Sequence, residues 1–255
     1  LKKGTKKAPY HTVTTGEAAD QYEMIKALEL SHEAHFILAD YAKQQGIAFL
    51  STPFDQPSAA FLLEHFDMPY MKVPSCDLTN APLVFDMARA GKPVILSTGM
   101  ATMEEIEEAL SVICLAISDS DEMPSQAAFA TAYRNPKLRE KLAERVTLMH
   151  CVSNYPAPRN SINLLAMRSM AEAFALPVGY SDHTLGIDIP IAAVALGATM
   201  IEKHFTLDKI MEGPDHPASL NPAELKALVA GIHRVEAIKS DRAALERMWK
   251  ALPDS

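Results

Sequence analysis

Apolar and β-branched residues gather in short runs at residues 47–52, 70–75, 93–98, 146–153, 177–182 and 199–206. Runs of this length and composition predict β-strands. Between them the apolar positions recur every three or four residues, at 33–45, 57–66, 82–90, 103–117, 164–174 and 187–196, which predicts helices with one buried face. A further helix is expected at 21–30. End signals agree with this rhythm: Thr102 and Glu105 have capping-box spacing, Asn221, Pro222 and Glu224 open a last helix, and Gly46 and Gly91 fall where helices must stop. The polar segment 118–136 interrupts the pattern and reads as an insertion.

Strand alternating with helix predicts βα units and a parallel sheet. The strand runs also end in polar side chains: Ser51 and Thr52, Lys72 and Ser75, Ser97 and Thr98, His150 and Ser153, Ser181 to His183, Glu202 and His204. Chemistry collected at the carboxyl ends of parallel strands is the layout of a (β/α)₈ TIM barrel. A doubly wound open sheet is the alternative, but no Gly-rich phosphate-binding turn follows any run. Six runs are two short of eight, and all lie beyond residue 46. Segment 4–16 and the helices at 21–30 and 33–45 read as the loop and helix after a second strand. The expectation is an α/β TIM barrel over 1–240 lacking its first two strands, followed by a helical tail or linker at 241–255.

Composition narrows the function without naming it. With 255 residues, 48% of them hydrophobic, the chain can bury one large core. A net charge of −8 argues against nucleic-acid or anionic-lipid partners, and the basic run Lys2, Lys3, Lys6 and Lys7 is diluted by Gly4, Thr5, Ala8 and Pro9. Cys76, Cys114 and Cys151 are odd in number and widely spaced, against a disulfide framework or a cysteine zinc site, and a reducing cytoplasm fits them. No apolar run has the length of a membrane span and no signal-peptide pattern opens the chain, although it begins at Leu1.

Four local runs carry the candidate chemistry: Ser51-Thr52-Pro53-Phe54-Asp55, Ser97-Thr98-Gly99-Met100-Ala101-Thr102, Ser181-Asp182-His183-Thr184, and Glu202-Lys203-His204-Phe205-Thr206 with Gly213-Pro214-Asp215-His216 downstream. His183 and His204 fall at the ends of the last two predicted strands and could share one octahedral divalent ion, with waters and a substrate oxygen completing it. Two hydrogen-bonded histidines at a barrel mouth are the competing reading. Lys72 lies inside an apolar run, so it must find an anion or reach solvent. The serines and threonines taken singly are ordinary loop caps. Glu202 shares strand parity with His204 and needs a partner if it faces inward. His150 reads as a satisfied core histidine.

Together these runs, with Gln21-Tyr22-Glu23-Met24, His150-Cys151, Tyr155-Pro156 and Ser219-Leu220-Asn221-Pro222, resemble the sialic acid synthase family, which includes N-acetylneuraminate, legionaminate and pseudaminate synthases. The resemblance covers nearly the whole chain. It implies an enzyme that condenses phosphoenolpyruvate with an open-chain N-acetylated amino sugar, N-acetylmannosamine or a relative, giving a nonulosonic acid and phosphate. By the same resemblance His183 and His204 are metal ligands, for Mn²⁺ before Mg²⁺ or Co²⁺, and His183, His204 and Lys72 are the catalytic set. Thr52, Lys72, Ser75, Ser97, Ser153, Tyr155 and Ser181 match phosphoenolpyruvate contacts, with Ser153 standing where some members carry Asn. Tyr155 and Asp215 match contacts to the sugar, and His216 and Asp182 lie where supporting hydrogen bonds are expected. The family's Glu, Asn-His pair and Lys near its first two strands have no counterpart here. Nor does its C-terminal antifreeze-like domain, which lends an Arg to a partner subunit of a homodimer. Weak or no activity from this chain alone is the resulting expectation. A different phosphoenolpyruvate-condensing enzyme or class II aldolase, and a non-catalytic barrel that binds metal and anion, are the other readings.

Overall fold

The computed structural model describes residues 2–16 and 18–239; the expected tail at 241–255 lies outside them. Four helices come first: α1 (Pro9–Thr15), α2 (Gln21–Leu28), α3 (His32–Gln44) and α4 (Gln56–His65). Among the described residues five strands follow, β1 (Met71–Val73), β2 (Val94–Ser97), β3 (Val146–Cys151), β4 (Val178–Asp182) and β5 (Ile201–Lys203), paired in that order and all parallel. Helix α5 (Ala81–Arg89) joins β1 to β2, and α6 (Met103–Ala116), α7 (Gln126–Arg134) and α8 (Pro136–Arg145) join β2 to β3. Helices α9 (Ala166–Phe174) and α10 (Asp188–Ala195) make the next two crossovers, and α11 (Pro222–Lys239) follows β5. Among the described strands the order never reverses and no switch point occurs, which is barrel winding rather than a doubly wound sheet.

The helix ends form for the reasons legible in the chain. Thr102 and Glu105 close a complete capping box on α6, and the carboxylate of Asp55 accepts the Ser58 N–H at the start of α4, where Pro57 gives up no needed donor. Alternation along the strands then separates two faces. Met71, Val73, Val94, Leu96, Val146, Leu148, Val178 and Tyr180 point into the helix layer, where they pack with Leu83, Met87, Leu110 and Ile113. Removing each such aliphatic side chain from water contributes about 1.5–3 kcal/mol. Lys72, Ser97, Ser181 and Glu202 take the opposite parity and face the other side.

The sheet is strongly curled. Five flat strands would hold β1 and β5 about 19 Å apart at the usual spacing between neighbours. Yet Lys72 on β1 and Glu202 on β5 form a salt bridge of 3.1 Å. The first and last strands therefore bend towards each other around a shared interior, as in an arc of a barrel.

Two expectations are corrected. The run at 47–52 is not a strand: it forms no ladder with β1, the Ser51 N–H points at the Met68 sulfur (3.4 Å), and Ile47 is 65% exposed. A strand flanked on one side only, with a thioether where a ladder carbonyl should be, gains too few hydrogen bonds to form. The polar insertion at 118–136 contains helix α7, whose Ala128, Phe129 and Ala132 pack against the core, and α8 after it was not foreseen. Among the described residues no helix is long and apolar enough to cross a membrane.

Candidate active site at the strand ends

Register sets the site. Cys151 on β3 pairs with Ser181 on β4, which pairs with Glu202 on β5, so one rung across three strands carries a thiol, a hydroxyl and a carboxylate. Glu202 uses both oxygens: Oε1 accepts from Ser181 Oγ at 2.8 Å, and Oε2 lies 3.1 Å from Lys72 Nζ. The inward carboxylate and the strand lysine, each expected to need a partner, are partners of each other. The Lys72 side chain, 16% exposed, thus ends at the mouth against the Glu202 carboxylate.

Small donors converge beside it. The Ser75 hydroxyl accepts the Gly99 N–H at 3.0 Å and lies 3.2 Å from Cys151 Sγ. A Cβ added to Gly99 would fall 2.5 Å from Ser153 Oγ, 2.8 Å from Cys151 Sγ and 2.9 Å from Ser75 Oγ. Only glycine lets the backbone come this close, so Gly99 is the point on which Ser75, Cys151 and Ser153 close. Ser97 Oγ is buried without a hydrogen-bond partner. A buried orphan hydroxyl costs free energy unless something else meets it, and here it opens on the same strand ends. Thr52 is not brought in: it lies on the unpaired segment after residue 46, and among the described residues no hydrogen bond ties it to the cluster.

Beyond the rung, His183 and His204 follow β4 and β5, with ring centroids 5.3 Å apart. The loop after β3 grips His183 twice. The Val152 carbonyl is 2.9 Å from His183 Nδ1, and the Ala157 N–H donates to the His183 carbonyl at 2.8 Å. A carbonyl can only accept, so Nδ1 carries the proton and Nε2 presents its lone pair. Burial, opposed by the Val152 carbonyl and reinforced by His204, holds the imidazole below its ordinary pKa and so neutral. These are the conditions of a metal ligand with its outer hydrogen bond in place. Among the described residues no third His, Cys, Asp or Glu joins the two rings to make a ready protein cluster. The pair thus fits an ion whose other positions are filled by oxygen ligands from outside the protein, and not a closed tetrahedral site.

Aromatic and acidic groups wall the far side. The Tyr155 ring centroid lies 4.0 Å from that of His183, 5.3 Å from that of His204 and 5.2 Å from that of Tyr10 on α1. Burial, then the neighbouring Tyr10, pushes the Tyr155 phenol well above its ordinary pKa, so it stays protonated. Asp215 Oδ2 is 3.6 Å from His204 Nδ1, while its Oδ1 is buried with no partner. His216 Nδ1 meets Thr206 Oγ1 at 2.8 Å and so fixes the loop that carries Asp215. His150 is the core histidine expected, with Nε2 on the Ile162 carbonyl at 2.7 Å.

Three contributors are not legible in the sequence alone. Gly99 and Cys151 lie inside the motifs named above, but nothing local gives them a role. Tyr10 lay in a turn-rich segment with no periodicity to point inward. The strand pairing of Cys151 with Ser181 is the signal that a full register would have supplied.

The NeuB family model matches residues 1–244. The chain is 48% identical to an N,N'-diacetyllegionaminic acid synthase of Campylobacter jejuni, over 92% of this chain and 64% of that protein. It is 41% identical to an N,N'-diacetyllegionaminic acid synthase of Legionella pneumophila, over 93% of this chain and 61% of that protein. It therefore spans less than two thirds of the length of either curated relative. Among solved structures, an N-acetylneuraminic acid synthetase from Leptospira borgpetersenii, in complex with citrate, superposes with a TM-score of 0.72 at 31% identity, over 93% of this chain and 77% of that one. On the family match and these identities, the chain belongs to the NeuB family.

Proposed function

We propose that this chain is the catalytic part of an enzyme condensing phosphoenolpyruvate with an open-chain N-acetylated amino sugar to give a nonulosonic acid and phosphate. One observation carries the reading: a lysine, orphaned or convergent hydroxyls and two imidazoles meet at one mouth of a curled parallel sheet. Relatives named as legionaminic acid synthases support the product class.

In this reaction C3 of phosphoenolpyruvate bonds to the aldehyde carbon, whose oxygen takes up a proton; water adds at C2 with loss of a proton, and the bond between C2 and the bridging oxygen breaks, so that this oxygen leaves with the phosphate and C2 becomes a ketone. The chain's residues divide that work. Lys72 binds the anion, and Ser75, Ser97 and Ser153 donate to its oxygens, while Ser181, whose one proton is held by Glu202, lines the pocket. Glu202 orients both Lys72 and Ser181 by holding one on each carboxylate oxygen. Tyr155 walls the histidine pair from bulk water, and the unpartnered Oδ1 of Asp215 takes a sugar hydroxyl. His183 and His204 would hold a divalent cation, Mn²⁺ in the first instance, whose chemistry when bound is to polarise a carbonyl oxygen.

The test is phosphate release from phosphoenolpyruvate by the complete gene product containing this chain, across a panel of N-acetylated mannosamine and 2,4-diacetamido sugars with Mn²⁺. Release that requires one of these sugars is expected. Release only with a non-aminated aldose contradicts the acceptor class, and none with any acceptor contradicts the condensation.

A further inference from the structure

Directly behind the two imidazoles lies a buried ion pair that no step of the proposed reaction uses. Asp182 and Lys203 are register partners on β4 and β5, one residue before His183 and His204 respectively. Their side chains take the parity opposite to the histidines, so they point away from the mouth into the protein. Both are buried, at 0% and 4% side-chain exposure, and Lys203 Nζ lies 2.5 Å from Asp182 Oδ2. The rest of the pair is satisfied locally. Asp182 Oδ1 accepts from Tyr180 Oη at 3.1 Å, from the Thr184 N–H at 3.0 Å and from Thr184 Oγ1 at 2.8 Å, while Lys203 also donates to the Thr184 carbonyl.

A buried charge pair is expensive to desolvate and is a poor source of stability by itself. This one spans the two strand ends from which His183 and His204 project, and it fastens the 182–184 turn to β5 by two separate bonds. We propose that Asp182 and Lys203 are positioning residues, a cross-strand latch that fixes the separation of the His183 and His204 imidazoles and thereby the affinity of the pair for a divalent ion. The inference rests on the reading of those histidines as metal ligands. Outer partners of metal ligands typically change affinity about 10- to 100-fold when lost, which sets the expected scale.

The test is a Mn²⁺ titration of the chain, followed by electron paramagnetic resonance, with the fold checked by circular dichroism. The double variant Asp182→Asn/Lys203→Met removes both charges together, so neither is left buried alone, and it keeps an acceptor for Thr184. It is expected to remain folded and to bind Mn²⁺ roughly tenfold more weakly, while Lys203→Arg, which keeps the cross-strand charge, stays within about threefold of the wild type. A folded double variant with wild-type affinity overturns the latch. If the double variant does not fold, Thr184→Val, which removes one hydroxyl contact to Asp182, takes its place. It should weaken binding roughly threefold, and wild-type affinity in it overturns the latch equally. Failure of the wild type itself to bind Mn²⁺ overturns the metal reading instead, and the latch with it.

Discussion

Lys72 and Glu202 stand on the two edge strands of the five-stranded sheet, and their side chains nevertheless meet at 3.1 Å. The contact exists because the sheet curls, and it places the lysine among hydroxyls from the strand ends between. Both groups retain some exposure, so the pair itself contributes less than about 1 kcal/mol to stability. Lys72→Met should leave the melting temperature nearly unchanged and weaken phosphoenolpyruvate binding at least tenfold, measured by calorimetric titration. A large melting shift with intact binding would make Lys72 structural.

Gly99 tolerates no side chain without displacing Ser75, Cys151 and Ser153. Because the clashing atoms end side chains, the fold can yield, at a cost of about 1–3 kcal/mol. Gly99→Ala is therefore expected to fold with a lowered denaturation midpoint and to lose phosphoenolpyruvate affinity more severely than Cys151→Ala, which removes one wall and adds no clash.

Burial lowers His150 and His183 below the ordinary histidine value of 6.5. Near that value the unfolded chain takes up protons that the folded chain still refuses. The unfolded state then binds more protons, so the free energy of unfolding rises with pH across this window. For metal-free protein, stability should be full above the ordinary value and fall as the pH drops through it. His150→Gln should flatten part of the slope between about pH 5.5 and 7.5 in chemical denaturation. An unchanged slope would assign the effect elsewhere.

Tyr10 reaches Tyr155 from helix α1, and its phenol, raised in pKa by burial and then by Asp215, stays protonated. Loss of one aromatic contact is worth about 0.5–1.5 kcal/mol, or roughly 2- to 10-fold. Tyr10→Ala should raise the KM for the amino sugar by that factor and leave the KM for phosphoenolpyruvate within about twofold. Equal effects on both would remove Tyr10 from the acceptor side.

Much of this was legible because periodicity and strand-end chemistry are local. The parity of Glu202 and His204, the capping box at Thr102, and the placement of Lys72, Ser181 and His183 all followed from counting along one strand or helix. What escaped depends on pairing between segments. Residues 47–52 have strand composition but, among the described residues, no ladder partner, and composition cannot reveal that. Helices α7 and α8 hide in a polar stretch because only small faces of them, such as Ala128, Phe129 and Leu142, are buried. The Asp182–Lys203 pair became visible only with the register that sets one residue opposite the other.

The central claim is that His183 and His204 hold one divalent ion beside an anion bound at Lys72. Crystals of the chain soaked with Mn²⁺ and phosphoenolpyruvate, measured at the manganese absorption edge, address it most directly. The account predicts a single anomalous peak ligated by both imidazoles, His183 through Nε2, with an anionic group of the ligand on Lys72. Manganese bound elsewhere, or phosphoenolpyruvate away from Lys72 while both rings remain unligated, would contradict it.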